Sequence, residues 1–434
     1  MKAVTQRITK TGGREATTRH IPPKLALAVG MPLIPPPKGW RWASLTDIAR
    51  LESGHTPSRR HPEWWGGSIP WIGIKDARAN DGACIDDTQE KTNERGIEHS
   101  AARVLPANTV CLSRTASVGY VVVMGRPMAT SQDFVNWVCS DHLDHNFLKY
   151  IFIAEGDELL RFASGSVHQT IYFPEVKAFH VCLPQLPEQQ RIVGILDEAF
   201  DGIATAKVNA EKNLQNARAL FESHLQSIFT HRSKGWVQKT LENVCHQITD
   251  GKHGDCEEQD GSGFYFLSAK DIKGGTPNWE EARQITKRDF EETNRRTNLE
   301  PGDILITNSG TIGRMAIAPK DDRTTKTTFQ KSVAILKPRK SEIDSKFAFY
   351  CLSSGLTRFV NLSAGAAQKN LLLRDLRNYQ FSLPKSLDQQ VEVARKLNNL
   401  SDETQRLEST YKQKLAALEA LKKSLLHQAF SGQL

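Results

Sequence analysis

Polar and basic residues of the kind that hydrogen-bond base edges or phosphates collect in a few loops of this chain. Arg and Lys suit guanine, Asn and Gln suit adenine, and Ser or Thr serve either. Thr56, Ser58, Arg59 and Arg60 share a Pro-flanked loop beside Trp64 and Trp65, and Ser113, Arg114 and Thr115 stand at a strand-to-turn corner. A second set lies further on: Lys252 with His253, Asn308 and Ser309 with Thr311, and Gln330 with Lys331. Two small-residue loops carry Ser164-Gly165-Ser166 with His168 and Gln169, and Ser363-Ala364-Gly365 with Gln368, Lys369 and Asn370. Their backbone amides and side chains suit phosphate oxygens. Each set also has a plainer explanation as solvated loop or turn former. Trp64, Trp65 and Trp71 read as core or loop anchors ahead of stacking platforms.

Catalytic patterns are absent. Cys245-His246 with His253 and Cys256 fits none of the usual zinc spacings, so no metal is assigned. Glu175-x-Lys177 lacks the upstream acidic pair that a nuclease site needs. The sequence holds no Walker-type phosphate loop, no nucleophile elbow and no Asn/Asp-Pro-Pro-aromatic methyltransferase signature. No catalytic residue is named, and the expectation is a binder or adaptor.

The elements that position these loops come in two copies. Lys38-Gly39-Trp40 recurs as Lys234-Gly235-Trp236, and Trp71–Asp76 aligns with Phe266–Asp271, which places Lys75 opposite Lys270. Pro106–Gly119 aligns with Pro301–Gly313, one residue shorter. Leu183-Pro184 with Gln189-Gln190 aligns with Leu383-Pro384 and Gln389-Gln390 at an offset of 200. Two copies are too few for a solenoid, so this is an internal duplication. Each half begins with short β-like runs (Thr109–Leu112, Tyr120–Met124, Asp303–Thr307) and ends in one long helix. In the first helix the apolar stripe runs through Leu196, Ile203, Ala210, Phe221 and Ile228. In the second it runs through Leu397, Leu400, Leu407, Tyr411, Leu418, Leu421 and Leu425, with a stutter near Tyr411–Leu415. A helix from Glu188 to Phe229 would be about 63 Å long, more than one domain can cover, so the two helices are expected to pair. Either direction of pairing is open on this ground.

The 434 residues carry a formal charge of +8, unevenly spread. Residues 1–41 hold +7, 42–186 hold −4, 187–231 hold −2, 232–386 hold +6 and 387–434 hold +1. The basic balance therefore reports mainly the N-terminal tail. Leu25–Ile34 is too short to span a bilayer. Seven cysteines without close pairs argue for reduced thiols in the cytoplasm.

The duplicated motifs resemble the specificity subunits of bacterial Type I restriction–modification systems. In the first half these are Ser53–Ser58, Trp65–Ile72 and Lys75-Asp76; in the second, Ile248–His253, Phe266–Asp271 and Pro301–Arg314, then His427–Leu434 at the end. The resemblance covers roughly residues 38–434. It implies an α+β fold: target-recognition domains at 38–186 and 232–386, joined by spacer helices at 187–231 and 387–434 that form an antiparallel coiled coil. A basic, Pro-containing extension, 1–37, precedes them. It further implies a non-catalytic subunit that reads a split site in double-stranded DNA. Two methyltransferase subunits would dock on it, joined by restriction subunits, with S-adenosylmethionine, ATP and Mg2+ held by those partners and none by this chain. No membrane association is expected. Two other readings stand beside it: the recognition subunit of a Type IIB-like nuclease–methylase, and a coiled-coil scaffold that binds proteins.

Overall fold

Val110-Cys111-Leu112 and Val121–Met124 show no polar alternation, as expected of strands buried on both faces. The computed structural model describes residues 36–165, 169–230, 235–356 and 370–434; the extension before them, His168, Gln368 and Lys369 lie outside the described residues. The chain divides into two compact units, one reaching to Asn209 and including Lys414–Leu434, the other comprising Ala210–Gln413.

In the first unit a five-stranded sheet has the order Ala49–Ser53, Phe134–Cys139, Val110–Ser113, Val121–Met124, Cys84–Ile85. Alternate residues enter two cores. Val110, Leu112, Val121 and Val123 pack with Phe147, Ile151, Ile192 and Leu196. Cys111, Val122 and Met124 pack on the other face with Ile72, Ile85 and Phe134. A three-stranded sheet, Glu90–Thr92, Trp65–Ile72 and Ala129–Thr130, stands beside it. The second unit repeats the plan. Its four-stranded sheet runs Cys245–Asp250, Val333–Pro338, Ile304–Thr307, Met315–Ile317. Ile304, Ile306, Ala334 and Leu336 face one core, and Leu305, Val333 and Ile335 face the other.

Two helices dwarf the rest: Leu186–Thr230, with 45 residues, and Leu387–Phe430, with 44. In the first unit Arg191 donates to the Leu434 carbonyl at 2.7 Å, and Lys207 meets Glu419 at 2.9 Å. In the second, Arg218 meets Glu408 at 2.9 Å, and Leu225 clusters with Leu397. Partner numbers fall as those of the first helix rise, so within each unit the helices pair antiparallel. Leu196, Ala210 and Leu397 are buried; Ile203, Phe221, Ile228, Leu400, Leu407, Tyr411, Leu418 and Leu425 are half-buried along the seam. Leu421 departs from the expected stripe and is 47% exposed. Leu425, one heptad after Leu418, returns to the same face, whereas Leu421 is rotated about 60° away at 100° per residue. Leu426 and Ala429 enter the core instead.

Each long helix is tied to its head by a buried glutamine. Gln189 accepts from the Asp144 amide at 2.9 Å and donates to the His142 and Pro184 carbonyls, both at 3.0 Å. Gln390 does the same with the Asp344 amide at 2.9 Å, the Glu342 carbonyl at 3.3 Å and the Pro384 carbonyl at 2.9 Å. The true counterpart of Gln189 is therefore Gln390 and not Gln389, because the second connector holds one extra residue after its Leu-Pro pair. Asp144 and Asp344 in turn cap the helices His145–Glu155 and Ser345–Ser354.

Removing either amide strands a buried N–H and two carbonyls, a cost of about 1–3 kcal/mol per unsatisfied group. Gln189→Ala and Gln390→Ala should each lower the urea midpoint of unfolding with little change in slope. An unaltered midpoint in both would show that these amides do not hold the junction.

Candidate nucleic-acid interface

A close backbone crossing opens each head. At Gly54 a Cβ would lie 1.9 Å from the Ser131 carbonyl oxygen, and at Gly251 it would lie 1.9 Å from that of Phe329. Only glycine fits either crossing. The next amides, His55 and Lys252, donate to Thr130 and Phe329 at 2.9 and 2.7 Å. These crossings bring Thr56 against Gln132, whose side chains hydrogen-bond, and bring His253 to the same cleft as Lys331.

The strand-to-turn corners correspond atom by atom. Ser113 Oγ donates to the Ser117 carbonyl at 2.5 Å and accepts from the Tyr120 amide at 2.8 Å. Thr307 Oγ1 likewise bonds the Thr311 carbonyl and accepts from the Arg314 amide at 2.9 Å. One residue on, the Arg114 amide donates to Asp133 at 2.7 Å while its carbonyl accepts from Ile171 at 2.8 Å. The Asn308 amide donates to Ser332 at 3.0 Å and its carbonyl accepts from Leu371 at 2.8 Å. Arg114 and Asn308 therefore occupy one position in the two heads.

Several candidates from the sequence spend their side chains on partners within the head. Ser113 is completely buried and its hydroxyl holds the turn, so it presents nothing to a ligand. Arg114 is half-buried; its guanidinium donates to the Gln132 carbonyl at 3.0 Å and the Ile171 carbonyl at 3.4 Å, over the Phe173 ring at 4.9 Å. Burial pulls its pKa below the usual arginine value. Thr115 bonds Thr170 at 2.8 Å. Arg59 forms a two-pronged pair with Glu90, both bonds 2.7 Å, and its guanidinium lies 3.7 Å over the Trp65 ring. It remains exposed while lying between Glu90 and Trp65. Asp76 and Asp271 are buried and cap the turns that carry exposed Lys75 and Lys270; Asp76 accepts from the Gly73 amide at 3.0 Å and Asp271 from the Ser268 amide at 2.8 Å.

Others stay at the surface. Ser58, Arg60, Gln169, Thr311, Lys331 and Asn370 are exposed. Lys252 is half-buried between Asp289 at 3.9 Å and Glu292 at 3.6 Å, and the Gln330 amide donates to Leu267 at 2.8 Å. The first head holds a cleft of about 530 Å³ with Arg59, Trp71, Lys75, Gln89, Glu90 and Asp133 in its wall. The second holds one of about 290 Å³ that gathers His253, Asn308, Ser309, Lys331 and Asn370, with Asp250 beside them. Five of the residues chosen from sequence thus converge on one cleft. Glu90, Gln132 and Asp250 were missed. The Gln132 signal was present, since extending the duplication past the glycine crossings sets it opposite Lys331.

Among the described residues no His, Cys, Asp and Glu group is arranged to hold a metal, and no helix is long and apolar enough to cross a membrane.

Two homologous β-rich heads, each joined to a long helix through a buried glutamine and each turning at the same hydroxyl-closed corner, define a duplicated, helix-linked α+β protein. The model for the Type I restriction modification DNA specificity domain matches twice, over residues 37–215 and 233–417. This chain belongs to that family. It is 29% identical over 250 residues to the MjaIX specificity subunit of Methanocaldococcus jannaschii, covering 54% of this chain and 56% of that one. It is 26% identical over 278 residues to the EcoBI specificity subunit of Escherichia coli, covering 58% of each. The matched stretch thus spans little more than half the length of these curated relatives. The fold is similar to a chain in a structure described as the basis of complex assembly and conformational transition of the type I R-M system. That likeness has a TM-score of 0.74 at 20% identity and covers 92% of this chain and 100% of the other. It is also similar to the HsdS subunit of Thermoanaerobacter tengcongensis, with a TM-score of 0.57 at 19% identity over 93% and 99% of the two chains.

The Arg59 guanidinium holds the Glu90 carboxyl below the usual glutamate range. In Arg59→Ala, an NMR pH titration of Glu90 should move up toward the ordinary value. An unmoved titration would mean that the pair does not persist in solution.

Proposed function

We propose that this chain is the DNA sequence-recognition subunit of a Type I restriction–modification complex. The observation that carries the reading is the duplication itself: two family-matched heads repeat one corner geometry while differing in the side chain placed there, Arg114 against Asn308. A constant frame with a variable side chain suits a protein that reads two different half-sites, one per head. The heads then position two methyltransferase subunits for N6-adenine methylation, and restriction subunits for cleavage. Chemistry belongs to those partners, as do S-adenosylmethionine, ATP and Mg2+. This chain supplies sequence choice and spacing, and the complex works on double-stranded DNA in the bacterial cytoplasm.

The purified chain should transfer no methyl group. Combined with its methyltransferase subunits it should direct adenine methylation to one split motif, read by sequencing modified DNA. Transfer by the isolated chain would refute the reading, and so would an assembled complex that methylates without sequence preference.

The helices set the gap between half-sites. Four residues inserted after Ala210, matched by four after Gln413, lengthen each helix by about 6 Å and slightly more than one turn. Both insertions fall between the Lys207–Glu419 and Arg218–Glu408 pairs, so neither pair loses register. The half-site bases should stay the same while the unspecified gap changes. Altered half-site bases with an unaltered gap would contradict this.

A further inference from the structure

Asn308 is 7% exposed, and its side-chain Oδ1 has no hydrogen-bond partner among the described residues. A buried acceptor without a donor is uncommon in a folded protein and destabilises it. The Asn308 backbone nevertheless has no freedom to withdraw. Its backbone is pinned on both sides, to Ser332 at 3.0 Å and from Leu371 at 2.8 Å. It stands in the wall of the second-head cleft, with Lys331, His253, Ser309 and Asn370 around the same space. The first head shows the contrast. At the matching position Arg114 spends its guanidinium on the Gln132 and Ile171 carbonyls. The first head thus uses two of its guanidinium nitrogens and leaves only a donor, the buried Arg114 Nε, without a partner among the described residues, whereas the second leaves an acceptor.

We propose that Asn308 is a specificity-determining residue that reads an adenine in the half-site of the second head, an inference that rests on the DNA-recognition reading above. An open acceptor needs a donor. On the major-groove edge guanine offers only N7 and O6, and thymine only O4 and its methyl group, so neither supplies one. The exocyclic amines of adenine and cytosine do. Adenine is favoured because an asparagine amide carries a donor beside its acceptor, and adenine presents N6–H and N7 as the complementary pair. Exposed Lys331 is placed to meet a phosphate, which carries register without sequence. The amide then selects the base.

The test uses the complex assembled with its methyltransferase subunits, once the split motif is known from its methylation pattern. Affinity is measured for the cognate duplex and for duplexes in which one adenine of the second half-site becomes a purine without the 6-amino group. For wild type, one such replacement should weaken binding by roughly 5- to 150-fold, the range of a good bidentate contact. In Asn308→Ala the same replacement should cost nothing further, while the first half-site is read as before. Asn308→Asp keeps the volume and loses the donor, so it should surrender the preference for adenine and shift toward cytosine at that position. It also serves if the alanine variant does not fold. Equal losses in wild type and both variants, or unchanged discrimination at every position, would overturn the assignment. A wild-type complex without any sequence preference would instead defeat the recognition reading on which it rests.

Discussion

The structure depends on how firmly a long helix is joined to the head at its end. A stiff helix transmits position only if its first turn cannot swivel. At both junctions this is achieved by one buried amide whose acceptor and donors are all used, on the Asp144 and Asp344 amides and on flanking carbonyls. Such a group is costly to leave unsatisfied in a low-dielectric interior, so it tolerates one geometry and excludes others. The same aspartates cap the helix that lies on the central sheet. A displacement of the long helix would therefore disturb a helix cap and a core together. The tyrosines of those packed helices add a further tie, Tyr150 to Asp197 and Tyr350 to Asn398 at 2.7 Å.

From that junction the sheet carries order outward to the clefts. Burial on both faces fixes strand register, because a slip of one residue would exchange the two cores. The strands end at the corners Ser113 and Thr307, where a hydroxyl closes each turn. The next residue is held by two backbone bonds whatever its side chain, so this position can vary without loss of the frame. That separation of frame from side chain explains how two heads of one chain share a fold and present different surfaces. Elsewhere the second head uses a buried ion pair, Lys337 with Asp303 at 2.6 Å; the same ammonium also donates to the Asn298 carbonyl at 2.6 Å, at the end of the helix Lys287–Thr297.

Charge acts differently in the two heads. The first is formally acidic, and Arg59 is already engaged by Glu90 and Trp65. Arg60 remains exposed in that loop. In the second head Lys331 is exposed at the cleft, whereas Lys252 is drawn toward Asp289 and Glu292. A count of basic residues therefore overstates what either head can offer to phosphates, because intramolecular carboxylates take a share.

What the sequence determined by itself was whatever repeats or has a period. The duplication, the apolar strands and the long amphipathic helices follow from patterns of residue type, and the family motifs are contiguous enough to read directly. The glycine–polar loops were also visible, and five residues chosen from the second half do share one cleft. Direction of helix pairing was open, since a stripe is equally apolar whichever way its partner runs; ion pairs such as Lys207–Glu419 decided it. The offset between Gln189 and Gln390 was misread by one residue, because only the hydrogen bonds of a folded junction identify which of two adjacent glutamines points inward. Tertiary structure alone also decided that the Ser113 hydroxyl closes a turn, that Arg114 donates to two carbonyls and that Arg59 pairs with Glu90, while the Asn308 Oδ1 has no partner among the described residues. Their residue types permit either role, and the choice depends on carbonyls and carboxylates that are distant in sequence and meet them only after folding.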